Sequence, residues 1–225
     1  MYFSHLKRPW ELIRIRMRFV CIAVCGRRGS GKDSIAEILC KHYQFENYKF
    51  ARPLKTAVAS LFNLDPDHVD GSLKDVVHPR WGITPRLMMQ WFGTEVMQHG
   101  LNSIAPGTGR TFWSNHLKLE LQSRVSTTNV VVSDLRFPHE LQMLRELFQD
   151  RLITLRVVRE LSVDEGIGEI GEAGEVRSFG DSHESEAGAM NLAVDAEILN
   201  TGTLAELETA IHAIIKKKAL SRHRE

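Results

Sequence analysis

The sequence has 225 residues, 43% of them hydrophobic, which suits one α/β domain with a complete core and a lid or insertion. Its formal net charge of +1 argues against a protein built mainly to bind nucleic acid. The longest apolar run, near residues 19–25, is far shorter than the roughly 18 residues that a transmembrane helix needs, so we expect no membrane partner. The cysteines Cys21, Cys25 and Cys40 show no metal-binding spacing, and we interpret them as reduced thiols of a cytoplasmic protein.

The N-terminal segment is basic and is interrupted by charged residues, which is not the pattern of a secretory signal. Met17 stands just before the first predicted strand. We therefore predict a basic extension over residues 1–16 and a single domain over residues 17–220.

A glycine-rich segment directly follows the first predicted strand. Residues 26–33 read G-R-R-G-S-G-K-D, and a helical pattern of apolar residues begins after them. Strand, G-x-x-x-x-G-K loop and helix together are typical of a P-loop, whose backbone N–H groups and helix N-terminus bind phosphate. Lys32 is expected to reach the β- and γ-phosphates of a nucleotide. The loop residues predicted to bind the donor phosphates are Gly26, Gly29, Ser30, Gly31 and Lys32.

Asp33 occupies the position after the lysine, where a P-loop usually has a serine or threonine for Mg²⁺. Its carboxylate and the hydroxyl of Ser34 are candidate groups for a magnesium site, and Asp134 at the end of a later strand is a second candidate carboxylate. Contact between Asp33 and the metal stays open as direct or through water. An acid in the first turn of a helix also stabilises the helix dipole, which is the alternative interpretation of Asp33.

Two helices are predicted after a short second strand over residues 46–50. Pro53 suits the first turn of one helix, and Thr84 with Pro85 forms the N-cap and first position of the next, which Gly93 interrupts. The apolar sides of these two helices are predicted to consist of Leu54, Val58, Leu61 and Phe62, and of Leu87, Met88, Trp91 and Phe92.

The second half of the chain alternates strands with helices, which predicts an α/β fold with a doubly wound parallel five-stranded sheet. Between its last two strands, residues 160–188 form a long acidic and glycine-rich connection, either a lid over bound nucleotide or a disordered insertion. The predicted elements are a helix over 112–125, a central strand over 129–134, a helix from Pro138, strands over 152–158 and 195–199, and a final helix opened by a capping box at 203–206 with Leu204, Leu207, Ile211 and Ile214 on its core face.

Several cations follow predicted strands closely. Arg52 and Arg136 come directly after short strands, and Lys55 lies one helical turn beyond Arg52. Because ligands of open α/β sheets bind at the carboxyl ends of the strands, these side chains are candidates to hold the phosphate of an acceptor. Arg86 and Arg159 are further candidates.

Six segments of the chain resemble the deoxynucleoside monophosphate kinases of the phage type. They are GRRGSGKDSIAEIL, FARPLK, WGITPRLMMQWFGTE, GRTFWSN, VVVSDLRFPHE, and HESE followed by ILNTGTLAEL. The segments occur in the order of that family and span residues 19–208. Phosphomevalonate kinases of the animal type share the GKD variant, whereas TPRLMMQWFGTE together with SDLRFPHE is more particular to the deoxynucleotide enzymes.

The resemblance implies a P-loop fold of the nucleoside monophosphate kinase type that transfers the γ-phosphoryl group of ATP, with Mg²⁺, to a deoxynucleoside 5′-monophosphate. It implies a helical acceptor-binding region over residues 52–125. The expected catalytic residues are Lys32, Asp134 and Arg136, and the expected metal ligands are Asp33 and Asp134. The remaining expected contacts are Arg52, Lys55, Arg86, Gln90, Trp91 and Arg136 for the acceptor, and Asp33, Ser34, Arg159, Asn200 and Gly202, with the loop, for ATP.

Three alternatives remain open from the residues. The chain could be a kinase of another small phosphorylated acceptor, such as phosphomevalonate, or a non-catalytic P-loop module that binds nucleotide. A nucleic-acid-associated ATPase acting through the basic termini is the third alternative. The expected partners are small nucleotides, without nucleic acid or membrane, and a homodimer stays open.

Overall fold

The structure is a computed structural model that describes residues 19–159 and 188–221. The predicted extension over residues 1–16 lies outside these described residues. So does the predicted lid over residues 160–188, except for Gly188. In the described part of the chain, no helix is both long enough and apolar enough to cross a membrane.

Five parallel strands form one sheet in the order β2-β3-β1-β4-β5, which confirms the predicted fold class. The prediction of a central strand over residues 129–134 is nearly right, since β3 is an interior strand and its neighbour β1 is the middle one. Both are paired on two sides and covered on two faces, which explains their continuous apolar runs. The strands are β1 Cys21–Gly26, β2 Phe45–Tyr48, β3 Asn129–Val132, β4 Leu152–Val158 and β5 Ala196–Leu199.

The helices connect these strands and cover the sheet on both faces. Two of the predicted N-caps are confirmed: the Thr84 hydroxyl accepts the N–H of Leu87 at 3.2 Å, and the carboxylate of Glu206 accepts the N–H of Thr203 at 2.7 Å. The α-helices labelled here are α1 Lys32–Tyr43, α2 Arg52–Phe62, α3 Pro66–Val69, α4 Pro85–Trp91, α5 Leu101–Ile104, α6 Phe112–Gln122, α7 Pro138–Phe148 and α8 Leu204–Ser221. The described residues also include the 3₁₀ helices Ser72–Asp75 and Gln149–Arg151, the π-helix Phe92–Gly100 and a helical segment at residues 188–190.

The alternation of side chains along β1 divides the core into two layers. Ile22 and Val24 pack with α1 and α8 on one face, and Cys21, Ala23 and Cys25 pack with α6 and α7 on the other. Cys21 and Cys25 are fully buried, and they and Cys40 are free thiols, as predicted.

A third, smaller cluster joins α2, α3 and α4 beside the sheet. Its buried residues include Val58 and Met88. Leu61 is 64% exposed, so its predicted place in the core is wrong: α2 is covered along one narrow side only. The predicted interruption of the helical pattern near Gly93 is a change of helix type: α4 ends at Trp91, and the chain continues without a break as the π-helix Phe92–Gly100. The missing side chain of Gly93 lets Leu54 approach, since a Cβ there would lie 3.1 Å from Leu54 Cδ2.

The final helix differs from its prediction in one apolar position. Leu204, expected on the core face, is 61% exposed, whereas Ile215 is 1% exposed and packs with α1 and the sheet. Leu204 is the first residue of α8, and the buried positions of the helix begin at Leu207. Leu207 and Ile211 are buried as predicted.

Candidate active site

The P-loop runs from the end of β1 to the first residue of α1, as predicted. Gly26 and Gly31 have φ values of 143° and 106°, which side chains of L-residues rarely permit. A Cβ on Gly31 would also lie 2.5 Å from Nδ2 of Asn200, and one on Gly26 would lie 2.4 Å from the carbonyl oxygen of Val157. Both glycines are therefore required by the backbone conformation and by the close approach of the Val157 backbone and the Asn200 side chain.

Two polar side chains of the loop fit a phosphate. Ser30 is 2% exposed, and its hydroxyl oxygen has no hydrogen-bond partner among the residues that the structure describes. The ammonium of Lys32 donates to the carbonyl oxygens of Gly26 at 2.8 Å and Arg27 at 2.6 Å, which places the charge inside the curve of the loop. A hydroxyl donor, a cation and a helix N-terminus thus converge at one point.

Asn200 and Arg159 contact the backbone of the loop. Asn200 Nδ2 donates to the carbonyl oxygen of Ser30 at 2.8 Å, and Arg159 Nη1 donates to that of Gly29 at 3.3 Å. Both predicted ATP-binding residues therefore lie at the loop, and the Asn200 amide braces it. Gly202 has a different neighbour: a Cβ there would lie 1.7 Å from Glu206 Oε2, so glycine leaves room for the carboxylate that caps α8.

Asp33 projects from the first turn of α1 and pairs with a cation that the sequence analysis did not single out. Lys49 Nζ lies 2.7 Å from Asp33 Oδ1, and the Asp33 side chain is 72% exposed. Burial lowers the pKa of Lys49, but the hydrogen bond to Asp33 and the charges of Asp33, Asp134 and Asp70 outweigh burial and raise it. Lys49 directly follows β2, at the ligand-binding edge of the sheet, which is the signal that could have identified it.

Asp134 holds the turn between β2 and α2. Its Oδ1 accepts the backbone N–H of Phe50 at 2.9 Å, and its Oδ2 accepts that of Ala51 at 3.0 Å. Each carboxylate oxygen keeps a further lone pair, so this arrangement is compatible with a metal contact. Within residues 19–159 and 188–221, however, no group of three or more side chains has the geometry of a metal site. Magnesium binding by Asp33 and Asp134 stays a prediction.

A cavity of about 420 Å³ opens beside this turn. Lys49, Arg52 and Lys55 contribute cations to its lining, and Leu64 and Val69 contribute apolar surface. Such a mixture suits a ligand with a charged and an apolar part.

The cations of this cavity are held by neighbouring side chains. Arg52 pairs with Glu120 and lies over the ring of Tyr48, with Cζ 5.2 Å from the ring centroid. Lys55 pairs with Asp70.

Asp75 connects an arginine of the acceptor region with an arginine of the P-loop. Its carboxylate accepts two hydrogen bonds from Arg86, from Nε to Oδ1 and from Nη2 to Oδ2, the second at 3.0 Å. Arg28 Nη2 donates to the same Oδ2 at 3.1 Å. The hydrogen bonds from Arg86, aided by Arg28, hold the pKa of Asp75 well below its usual range, and Asp75 raises the pKa of Arg86.

Lys74 lies in a cluster of like charges. Burial and the charges of Lys55, Arg86 and Arg136 lower its pKa to about 8, and only the charge of Asp70 among the named causes acts in the opposite direction. Like charges repel one another, and the carboxylates of Asp70 and Asp75, which pair with Lys55 and Arg86, offset that repulsion in part. Lys55, Arg86 and Arg136, all predicted from the sequence, therefore lie near enough to Lys74 for their charges to act on it.

Glu140 fixes the turn that carries Arg136. Its Oε2 accepts the backbone N–H groups of Arg136 at 2.8 Å and Phe137 at 3.0 Å, and the residue is 5% exposed. Burial, with the nearby charge of Asp134, raises the pKa of Glu140 to about 8. Because the backbone of the turn is held in this way, the exposed side chain of Arg136 is presented from a rigid base.

Comparison with known proteins gives the family. No protein-family model matches the chain. A protein of Acanthamoeba polyphaga mimivirus described as a "Putative deoxynucleotide monophosphate kinase" is 35% identical to it over 134 residues, which are 57% of this chain and 69% of that protein. The chain belongs to the deoxynucleotide monophosphate kinase family.

Solved structures with a similar backbone share little sequence identity with this chain. A gluconokinase from Sinorhizobium meliloti 1021 is 16% identical, covers 92% of this chain and 97% of its own, and has a TM-score of 0.47. Shikimate kinase from Aquifex aeolicus is 12% identical over 89% of this chain and 98% of its own, with a TM-score of 0.44. Likenesses of this degree carry no inference about the substrate.

Two predicted acceptor residues lie beyond Arg86 on α4. Gln90 is one helical turn past Arg86 and so shares its side of the helix. The side chain of Trp91 is 45% exposed rather than packed in the core. Their contact with the acceptor stays a prediction.

Proposed function

We propose that this protein transfers the γ-phosphoryl group of ATP to a deoxynucleoside 5′-monophosphate, which gives the diphosphate and ADP. The observation that carries the proposal is the cluster of Lys55, Lys74, Arg86 and Arg136, which the Arg86–Asp75–Arg28 contacts connect to the P-loop. A phosphoryl transfer enzyme needs cations for the acceptor phosphate beside the donor phosphates, and family membership is consistent with this arrangement.

The donor half of the site is the P-loop. Its backbone N–H groups, the Ser30 hydroxyl and the Lys32 ammonium offer hydrogen bonds to the oxygens of the β- and γ-phosphates. These donors are fixed by the fold before the nucleotide arrives, so little ordering is needed when negative charge redistributes during transfer. Lys32 is the residue whose charge is expected to stay beside the γ-phosphoryl group while it is transferred.

The acceptor half of the site is the cation cluster. Burial and, after it, repulsion by neighbouring cations lower the pKa of Lys74, and a monophosphate with about two negative charges at neutral pH would relieve that repulsion. Arg86 and Arg136 are guanidinium groups, which hold phosphate oxygens bidentately and so orient the attacking oxygen. The apolar lining contributed by Leu64 and Val69 in the adjoining cavity suits the uncharged part of the substrate.

The transfer forms one phosphorus–oxygen bond and breaks another. An oxygen of the acceptor phosphate forms a bond to the γ-phosphorus while the bond from that phosphorus to the β–γ bridging oxygen breaks, and ADP leaves with the electron pair. Phosphate oxygens need no strong base, so positioning and charge neutralisation are what the residues must supply. When bound, Mg²⁺ would neutralise donor phosphate charge, and the carboxylates of Asp33 and Asp134 are the groups that would hold it.

An acceptor screen with a coupled ADP assay tests the proposal. We expect ADP formation with at least one deoxynucleoside monophosphate in preference to ribonucleotides and to phosphomevalonate. Turnover of phosphomevalonate alone would replace the proposed acceptor, and nucleotide binding without any turnover would indicate a binding module.

Lys32→Ala is the matching loss-of-function variant. It should lower kcat by at least about a hundredfold, because a preorganised charge on the transferred group is removed. Lys41→Ala is the control, since Lys41 is an exposed lysine in the last turn of the same helix. Equal activity of the two variants would exclude Lys32 from the reaction.

A further inference from the structure

The two halves of the site are joined by one carboxylate, that of Asp75. Asp75 ends the 3₁₀ helix Ser72–Asp75, which lies between the acceptor-region helices α3 and α4 in the chain. From there it accepts hydrogen bonds from Arg86 on α4 and, at 3.1 Å, from Arg28 in the P-loop. Arg28 and Asp75 are 47 positions apart in the sequence, so the contact exists only in the folded protein.

The contact with Arg86 leaves part of its guanidinium group available. A guanidinium has five N–H donors, and Asp75 engages Nε and one N–H of Nη2. The edge formed by Nη1 and the second N–H of Nη2 is the other pair of parallel donors, which matches a phosphate bidentately. Asp75 thus determines the plane and the direction in which Arg86 presents this edge.

The environment of Asp75 keeps it an anion. Arg86 and Arg28 hold its pKa well below the usual range, and neighbouring Lys74 belongs to the cation cluster. The Asp75 side chain is 48% exposed, as against 31% for Arg86 and 72% for Arg28. The half-buried Arg86 is therefore the firmly held partner, and the exposed Arg28 is the partner whose position depends on the loop.

We propose that Asp75 is a positioning residue that orients Arg86 for the acceptor phosphate and, through Arg28, couples acceptor binding to the occupation of the P-loop. This inference rests on the proposed function. Donor phosphates bound in the loop attract Arg28, which lies in that loop, and Arg28 in turn holds the carboxylate that contacts Arg86. By linkage, a bound donor then tightens the acceptor, and a bound acceptor tightens the donor by the same factor.

Equilibrium binding on the full chain tests the coupling. The dissociation constant of the best-turned-over deoxynucleoside monophosphate is measured by calorimetry with and without a non-hydrolysable ATP analogue. In the wild type we expect the analogue to tighten the acceptor by about 5-fold or more, the usual lower range of such coupling. Asp75→Ala and Arg28→Ala should each remove this tightening, and the double variant should show no further loss.

Further variants separate positioning from folding. Asp75→Asn keeps the size of the side chain but not its charge, and it should lose the coupling, while Asp75→Glu should restore part of it. Asp65→Ala is the control, because Asp65 has an 87% exposed side chain that makes no capping hydrogen bond, and it should retain the coupling. Thermal unfolding of every variant verifies that it is folded.

The outcomes distinguish this inference from the proposed function. Unchanged tightening in both Asp75→Ala and Asp75→Asn, or no tightening in the wild type, would overturn the role of Asp75 while leaving the turnover of deoxynucleotides intact. If no acceptor is turned over, the proposed function fails. The same comparison is then made with inorganic phosphate as the probe, and equal binding in the wild type and Asp75→Ala would overturn the inference as well.

Discussion

Lys49 Nζ lies 2.7 Å from Oδ1 of Asp33 and so joins the end of β2 to the first turn of the P-loop helix. The same lysine lines the cavity that also contains Arg52 and Lys55. Its ammonium is close enough to Asp134 for that carboxylate to raise its pKa. Lys49 therefore lies between the acids of the donor side and the cations of the acceptor side.

Replacement of Lys49 should impair transfer without unfolding the protein. We expect Lys49→Ala to lower kcat/KM for the acceptor by about tenfold, which corresponds to the loss of one hydrogen bond to a charged group. Lys49→Arg, which keeps the charge, should recover part of the loss. Steady-state kinetics give the result, with Lys118→Ala on the surface of α6 as control. Wild-type kinetics in Lys49→Ala would remove Lys49 from the site.

Asp134 should stabilise the folded protein, in addition to any role that it has in catalysis. Asp134→Ala leaves the N–H groups of Phe50 and Ala51 without their acceptor, and we expect a loss of about 2 kcal/mol in the free energy of unfolding. Asp134→Asn keeps one acceptor oxygen and should lose less. Urea denaturation measures both.

Glu37→Ala is the stability control for Asp134, since Glu37 is an exposed carboxylate within α1 and such substitutions usually change stability by less than about 0.5 kcal/mol. An Asp134→Ala variant as stable as this control would mean that the hydrogen bonds to the turn contribute nothing, and would favour a purely catalytic carboxylate.

Deprotonation of Lys74 should make the reaction slower at alkaline pH. Since its pKa is lowered to about 8, the free enzyme loses this positive charge as the pH rises through that value. We expect kcat/KM for the acceptor to fall above about pH 8, because kcat/KM reports groups of the free enzyme. Lys74→Arg, whose charge does not titrate in this range, should abolish that fall. A fall of the same shape in both proteins would assign it to another group.

Glu140 should make stability depend on pH in a recognisable direction. Its pKa is raised to about 8 in the folded protein, from a value of 4.5 without burial, so the folded state binds more protons between these values. The stability that Glu140 contributes is therefore fully present below the pKa of 4.5 and is lost as the pH rises through the folded-state pKa of about 8.

Glu140→Gln removes the titration and keeps an oxygen that accepts the two N–H groups. We expect the wild type to lose stability relative to this variant by about 1 kcal/mol for each pH unit between about pH 5 and pH 8. Urea denaturation across this range checks the trend. A difference between the two proteins that stays constant with pH would contradict the raised pKa.

Local patterns in the sequence predicted most of the sheet. The strand over residues 152–158 was predicted with its observed bounds, and the caps at Thr84 and Thr203 are formed as their residue types suggest. Such patterns are local, because a cap or a buried strand is encoded within a few neighbouring residues. The errors at Leu61 and Leu204 arose because the burial of a residue depends on how its helix packs against another part of the chain.

By itself, the sequence determined the P-loop, the parallel α/β fold and the family-like segments, since glycine spacing and apolar periodicity act over short distances. Only the tertiary structure decided which charges meet. It placed Lys74 among Lys55, Arg86 and Arg136, and it placed Asp75 between Arg86 and Arg28. These contacts join separate segments, and their energies depend on distance and burial in three dimensions, which no spacing along the chain records.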